Sequence, residues 1–150
     1  MTVKEINPIT VLCFTQQVTL NGLQQYVGVK ARELYHEAVQ HDLDVMGPVY
    51  WVYFGMDGNP ETVFTLEICL PVAGGEDYHG QFALKQLGAF KCLSGWHNGA
   101  WPNFPATYGR VFQEISEKKF IPSGQCREIY LHIDFENEEN NVTEVQVGIQ

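Results

Sequence analysis

The sequence has few basic residues and no long hydrophobic run, and these two shortages exclude whole classes of protein. Its 150 residues include 9 Lys and Arg against 18 Asp and Glu, which gives a formal net charge of -9. Such a balance repels a phosphate backbone, so we expect no nucleic-acid partner. No apolar run approaches the roughly 18 residues of a membrane-spanning helix, and the N-terminus lacks a signal-peptide core. We therefore expect a cytoplasmic protein that does not bind membranes.

Cysteine is also scarce, and its spacing predicts neither a metal site nor a disulfide framework. The four cysteines are Cys13, Cys69, Cys92 and Cys126, with no CxxC pair among them. Each lies in or beside a predicted strand, which favours buried and reduced thiols. The histidines are scattered, and the sequence contains no catalytic triad and no phosphate-binding loop. We predict no cofactor, and these absences favour a binding protein over an enzyme without deciding between them.

The apolar residues that are present alternate between strand and helix spacing, and they do so twice. In the first part, a strand at 9–14 precedes a helix over 23–40, and two strands follow on either side of a turn at 57–60. The glycine-rich stretch 73–80 is the best linker candidate. A strand over 82–93, a loop at 94–103, a helix from Pro105 and a second hairpin then repeat the order. This pattern predicts a single domain, 1–150, with internal repeats at 8–73 and 81–150.

A comparison of the two halves supports a structural duplication. Strands of one half align with strands of the other, and the aligned pairs include Cys13 with Cys92 and Glu67 with Glu144. We therefore predict an α+β fold made of a duplicated βαββ repeat with pseudo-twofold symmetry. Its antiparallel sheet would carry both helices on one face, with a ligand cleft between the halves.

Strand alternation assigns the side chains of the two central strands to opposite faces. Val52 and Ile129 belong to the face that we expect the helices to cover. The other face would normally meet water, yet it combines aromatic rings with a carboxylate, which is typical of an interaction site. Convergence of the two halves would bring four of these side chains into one cleft: Trp51, Tyr53, Glu128 and Tyr130.

Three segments carry a resemblance to a known family: YWVYFGMDGNPETVFTLEICLPV, LSGWHNGAWPNFPATYGRVFQEI and REIYLHIDFENEENNVTEVQVGI. They resemble the GyrI-like family, which includes effector-binding domains of bacterial multidrug-responsive transcription regulators and stand-alone proteins. The resemblance covers nearly the whole chain and implies two βαββ repeats around a ligand cleft. The chain departs from the family pattern at the end of the second helix, where ISEKKFIPSG replaces a common Trp-Leu-Pro ending.

The resemblance also implies a site. In the family, a glutamate on the penultimate strand faces the cleft and meets the positive charge of bulky aromatic ligands, and Glu128 is the matching residue here. A partly desolvated carboxylate gains a partner when a lipophilic cation binds, and aromatic rings add cation–π attraction. By position, six aromatic residues would form the walls of the cleft: Trp51, Tyr53, Trp96, Trp101, Tyr108 and Tyr130.

The expected function is non-catalytic binding of amphipathic, cationic aromatic small molecules by a stand-alone sensor domain. Two alternatives stay open at this point. One is hydrolysis of reactive electrophilic compounds, with the cleft glutamate activating water and a tyrosine assisting. The other is a protein-interaction role such as gyrase inhibition. The sequence does not decide between a homodimer and a separate regulatory partner protein.

Overall fold

The computed structural model describes residues 1–150 as one curled antiparallel sheet with two α-helices. No helix is long and apolar enough to cross a bilayer. Three short 3-10 helices accompany the main elements, at Leu20–Tyr26, Trp101–Asn103 and Glu138–Asn140. The strands and α-helices are β1 (Thr2–Ile6), β2 (Ile9–Val18), α1 (Val29–Gln40), β3 (Asp44–Val45), β4 (Tyr50–Phe54), β5 (Phe64–Ala73), β6 (Ala83–Leu87), β7 (Phe90–Asn98), α2 (Phe104–Glu117), β8 (Pro122–His132) and β9 (Val142–Ile149).

The order of the strands confirms the predicted fold class. The sheet runs β1-β7-β9-β8-β4-β5-β2-β6, so the two halves meet where β8 pairs with β4. Each half contributes three strands and a helix in the same chain order: β2, α1, β4 and β5 in the first, and β7, α2, β8 and β9 in the second. The strands β1 and β6 each pair with the opposite half, β1 with β7 and β6 with β2. This exchange binds the two halves into a single sheet.

Strand register shows which residues of the two halves occupy equivalent positions. The ladder between β4 and β5 pairs Val52 with Glu67, and the ladder between β8 and β9 pairs Ile129 with Glu144. Glu67 and Glu144 therefore take equivalent positions, as the sequence comparison predicted.

The predicted match of Cys13 with Cys92 is wrong by two residues. Cys13 pairs with Cys69 across β2 and β5, whereas Ser94 pairs with Gln146 across β7 and β9. Since β5 and β9 are already aligned through their glutamates, Ser94 is the residue equivalent to Cys13. Local letter similarity suggested the cysteine match, but the hydrogen-bonded ladders set the register.

The assignment of sheet faces predicted from alternation is inverted. Leu34 of α1 and Val111 of α2 share one core cluster with Trp51 and Tyr53, so both helices cover the face that was expected to be open. Val52 packs in a separate cluster on the other face. Alternation separates the two faces but does not say which one a helix covers, because both faces of this sheet are apolar.

The face without helices is buried by the curl of the sheet itself. Arg127, on this face of β8, is 1% exposed, and its guanidinium lies 4.0 Å from the centroid of the Phe90 ring. It also donates a hydrogen bond of 3.2 Å to the carbonyl oxygen of Gly88, in the turn between β6 and β7. The curled sheet therefore has two interiors, one under the helices and one inside its own curvature.

Two element boundaries differ from the predictions, and both changes bear on the site. The helix expected over 23–40 is divided at Gly28, whose φ of 72° ends the 3-10 segment before α1 begins. The strand expected over 82–93 is two strands, and β7 continues through Trp96 to Asn98. The loop predicted at 94–103 is therefore shorter than expected, because local glycines did not interrupt the ladder between β7 and β9.

Candidate ligand-binding site

Glu128 lies at the centre of the sheet, directly opposite Trp51 in the ladder that joins the two halves. It is 3% exposed and faces the helices. Three phenol groups donate hydrogen bonds to its carboxylate. Tyr53 on β4 donates to Oε2 at 2.7 Å, Tyr108 on α2 donates to Oε1 at 2.7 Å, and Tyr130 on β8 donates to Oε2. The carboxylate is therefore held by neutral donors from three elements.

The electrostatics of this cluster follow from burial. Loss of solvation raises the pKa of Glu128 above its ordinary value of 4.5, and the hydrogen bonds from Tyr130, Tyr108 and Tyr53 oppose that rise only in part. Burial and the neighbouring carboxylate raise the pKa values of all three tyrosines well above 10.0. The phenols therefore stay protonated as donors, and the carboxylate has no cationic side chain to balance its charge.

A cavity of about 900 Å³ opens above Glu128 between the two helical segments. One wall comes from the 3-10 segment at Leu20–Tyr26 and the first turn of α1, and the opposite wall from the 3-10 turn at Trp101–Asn103. The β8–β9 hairpin contributes to the rim. The lining residues include two acidic side chains and no Lys, Arg or His: Leu20, Asn21, Leu23, Gln24, Val27, Gly28, Ala31, Val49, Trp51, Tyr53, Trp101, Pro102, Phe104, Glu128, Tyr130, Ile133, Phe135 and Glu138.

Aromatic rings in this cavity are arranged edge to face. The ring of Tyr130 lies 6.1 Å from Trp51 and 5.4 Å from Trp101, centroid to centroid, with interplanar angles of 70° and 80°. Trp101 also meets Phe135 at 5.9 Å and 87°. The indole N–H of Trp101 is buried without a hydrogen-bond partner.

Of the seven residues predicted for the site, five line the cavity: Trp51, Tyr53, Trp101, Glu128 and Tyr130. Tyr108 is not among the lining residues, but it contacts the carboxylate of Glu128 from α2. Trp96 lies elsewhere. It is 56% exposed and pairs with Glu144, on the face of β7 opposite to the cavity, with the ammonium of Lys4 at 5.5 Å from its ring. The prediction failed because residues 94–98 were expected to form a loop, whereas they continue β7. Alternation along that strand directs Trp96 away from the cavity.

Sequence reasoning missed part of the cavity wall. Val27 and Ala31 have the helical spacing of core residues, and that spacing does not reveal that they border a cavity. Phe135 lines the cavity from the acidic 134–139 segment, whose charge is typical of a solvated hairpin loop. An aromatic residue within such a loop is the signal that could have identified it. Leu20 precedes the predicted helix and Leu23 begins it, and both enter the cavity wall through the 3-10 turn.

This arrangement, a buried carboxylate beneath an aromatic cavity between two similar halves, agrees with a match to a known family. The sequence model of the GyrI-like small molecule binding domain matches residues 1–150. The chain belongs to the GyrI-like family. The family is that of a small-molecule binding domain, so family membership supports ligand binding by this chain. No curated protein is significantly similar in sequence to this GyrI-like domain.

Solved structures of the same fold include a domain of a transcription regulator. The C-terminal domain of EcmrR superposes with a TM-score of 0.77 at 17% identity, over 99% of this chain and 96% of that domain. In the complex of EcmrR with DNA, the TM-score is 0.81, and the GyrI-like domain described here spans 56% of the EcmrR chain. Just over half of that regulator therefore corresponds to this chain.

Two other similar structures carry different descriptions. SAV2435 bound to tetraphenylphosphonium matches with a TM-score of 0.67 at 13% identity, over 99% of this chain and 93% of that chain. A hydrolase from Listeria innocua matches with a TM-score of 0.68 at 13% identity, over 99% and 91%. At such low identity these likenesses establish the fold and leave the ligand to be inferred from the site.

Proposed function

We propose that this GyrI-like domain binds bulky aromatic monocations in the cavity above Glu128, without chemical conversion. The observation that carries the proposal is a carboxylate that is 3% exposed, faces an aromatic cavity and has no basic residue among the cavity's lining. A buried charge that lacks a partner is costly, and a bound cation would lower that cost. The complex of SAV2435 with tetraphenylphosphonium, a ligand of this class, supports the proposal.

The wall chemistry favours a broad ligand range over a narrow one. Apolar and aromatic surfaces attract flat or bulky apolar ligands with little dependence on their outline. The hydroxyls of Tyr53 and Tyr130, which line the cavity, donate to the carboxylate, so a cation would contact them first and be attracted by the carboxylate at longer range. Such a long-range attraction tolerates ligands of different shape, and a cavity of about 900 Å³ has room for them.

Matched ions of opposite charge test this proposal. Tetraphenylphosphonium and tetraphenylborate have nearly the same size and apolar surface, so a difference in affinity reports on charge. Two of the three tryptophans, Trp51 and Trp101, line the cavity, so binding can be followed by tryptophan fluorescence. We expect saturable quenching by the phosphonium and much weaker binding of the borate. Equal affinity for the two ions would contradict the proposal.

A second candidate is hydrolysis of reactive electrophiles, favoured by the similar hydrolase structure and by the contact of Glu128 with Tyr53 and Tyr108. In that mechanism the carboxylate accepts a proton from water as the water attacks, and a phenol donates a hydrogen bond to the developing oxyanion. Incubation of the protein with small electrophilic esters and epoxides, followed by chromatography, separates the two functions. Enzyme-dependent product, lost in Tyr108→Phe, would favour hydrolysis, and recovery of unchanged compound would favour binding.

The likeness to the C-terminal domain of EcmrR supports a sensing role for the bound molecule. In such a role the ligand would change how the domain contacts a DNA-binding partner protein. Affinity capture of that partner with and without tetraphenylphosphonium would test it, since the sensing role requires capture that depends on the ligand.

A further inference from the structure

The interior formed by the curl of the sheet contains a second cluster of reactive side chains, away from Glu128. Cys13 on β2 pairs with Cys69 on β5, and their sulfur atoms are 2.8 Å apart. Cys13 donates a hydrogen bond of 3.0 Å to Oε2 of Glu67, and the ammonium of Lys85 forms an ion pair with the same oxygen. The two cysteines and Glu67 are no more than 5% exposed, and all of their candidate ligand atoms lie within 4.8 Å of one another.

The second half of the chain provides an internal comparison. Glu144 is equivalent to Glu67 and forms an ion pair with Lys4. Where the first half has two thiols, the second has Ser94 and Gln146, which donate hydrogen bonds of 2.7 and 3.0 Å to Glu144. A lysine–glutamate ion pair is therefore common to both halves, and a structural role accounts for it. The two thiols beside the carboxylate occur in the first half alone.

We propose that Cys13, Cys69 and Glu67 form a zinc-binding site that ties β2 to β5. Two thiolates and a carboxylate are a ligand set that suits zinc, a borderline-soft divalent cation, better than magnesium or calcium. In a tetrahedral site the sulfur atoms would lie about 3.8 Å apart, given Zn–S bonds of about 2.3 Å. A water molecule would be the fourth ligand, and Lys85, which is paired with Glu67 and has a side chain that is 39% exposed, shows that solvent lies beside the cluster.

The charges of the cluster allow Zn²⁺ to replace the thiol protons inside the protein interior. In the metal-free cluster, Cys13 donates its S–H to Glu67, whose carboxylate balances the Lys85 ammonium. On binding, Zn²⁺ replaces two thiol protons, which leave to solvent, so the net charge of the cluster does not change. Burial therefore does not oppose the metal by adding an unbalanced charge.

The sequence contains no signal for this site, because its ligands are contributed across a strand pair. Cys13 and Cys69 are 56 residues apart, which no short metal-binding motif covers. The residues come together through the β2–β5 register alone.

Cobalt spectroscopy on the reduced, metal-free full chain tests the proposal, with Co²⁺ as the probe and Zn²⁺ as the competitor. We expect one bound ion per chain, with thiolate-to-cobalt charge-transfer absorption and the intense visible bands of a tetrahedral site, both lost when Zn²⁺ is added. The double variant Cys13→Ser/Cys69→Gln gives the first half the side chains that already pack around Glu144, so it is expected to fold. It should lose these signals, whereas Cys92→Ser, which removes a buried thiol outside the cluster, should keep them.

A second measurement, cysteine alkylation, uses the wild-type chain alone, so its result does not depend on whether a variant folds. Zn²⁺ should slow alkylation of Cys13 and Cys69 more than that of the other two buried thiols, Cys92 and Cys126, as resolved by mass spectrometry of the digested protein. A general stabilisation of the fold would slow all four alkylations alike. Zn²⁺ should also raise the melting temperature of the wild type and not that of the folded double variant. Charge-transfer bands that persist in the double variant, or Zn²⁺ that leaves Cys13 and Cys69 as reactive as before, would overturn the proposal.

Discussion

Replacement of Glu128 by glutamine should separate charge recognition from apolar recognition in the cavity. The substitution keeps the size of the side chain and an oxygen that can accept from Tyr53 and Tyr130, both of which now donate to Oε2. The amide NH2 takes the place of Oε1, so the hydroxyl of Tyr108 would have to turn and accept from it. The negative charge is lost, and one hydrogen bond of the cluster reverses its direction. Because burial raises the pKa of Glu128, ionisation of this group opposes folding at neutral pH, so the variant should be at least as stable as the wild type.

The size of the effect follows from the distance at which a ligand cation is held. Tyr53 and Tyr130 line the cavity and donate to the carboxylate, so a ligand cation in contact with their hydroxyls lies roughly 6 Å from the charge of Glu128. With an effective dielectric constant of about 20, the attraction at that distance is roughly 3 kcal/mol. Since about 1.4 kcal/mol corresponds to a factor of ten, Glu128→Gln should weaken binding of a monovalent cation roughly 100-fold.

The assay compares tetraphenylphosphonium with tetraphenylborate on both proteins by fluorescence titration, with calorimetry to confirm the stoichiometry. The cation should lose affinity in Glu128→Gln and the anion should gain it, because the same charge acts on both with opposite sign. A parallel loss for the two ions would show that the substitution had damaged the cavity itself. Unchanged affinity for the cation would refute the role given to Glu128.

Three further predictions concern pH, one cavity wall and one strand contact. The pKa of Glu128 lies above 4.5, and only the ionised carboxylate attracts a cation. The affinity for tetraphenylphosphonium, measured by calorimetry, should therefore rise as the pH increases from about 4.5 through the raised pKa. The Glu128→Gln variant should show no such rise. Trp101→Ala should weaken binding of this ion by about 0.5–2 kcal/mol, whereas Trp96→Ala, on the opposite face, should leave the Kd unchanged. Gly148→Ala would place a methyl group against Ser123 and 2.8 Å from the carbonyl oxygen of Gln125, so urea denaturation should show a loss of about 1–3 kcal/mol. Gly88→Ala, which meets no atom within 4 Å, should lose far less.

Much of the fold was predictable from the sequence because its signals are local. Period-2 and helical spacing identified most of the strands and both helices, and the turn at 57–60 placed the hairpin of β4 and β5. The duplication was visible in aligned elements, and it led to the correct fold class. The short strand β1 was not recognised, because it depends on pairing with the other half of the chain. The strand β6 was merged with β7 into one predicted strand, because its separate pairing with β2 leaves no local signal.

The cavity was predictable in part. Glu128, Trp51, Tyr53 and Tyr130 lie on one sheet face because alternation places them there, whatever covers that face. Which face the helices cover was predicted the wrong way round. Both faces of the sheet are apolar enough to be buried, and the curl of the sheet, which no local pattern encodes, buries the second one.

The amino-acid sequence by itself determined the element order, the duplication and the residue types that meet at the centre of the sheet. Tertiary structure alone decided their relations across strands. Register made Ser94 the counterpart of Cys13 and brought Cys13 beside Cys69. Pairing with β9 extended β7 through Trp96, and alternation along that strand then placed Trp96 on the face opposite the cavity. The physical reason is that side-chain direction is set by short-range backbone geometry, whereas register depends on hydrogen bonds between segments far apart in the chain.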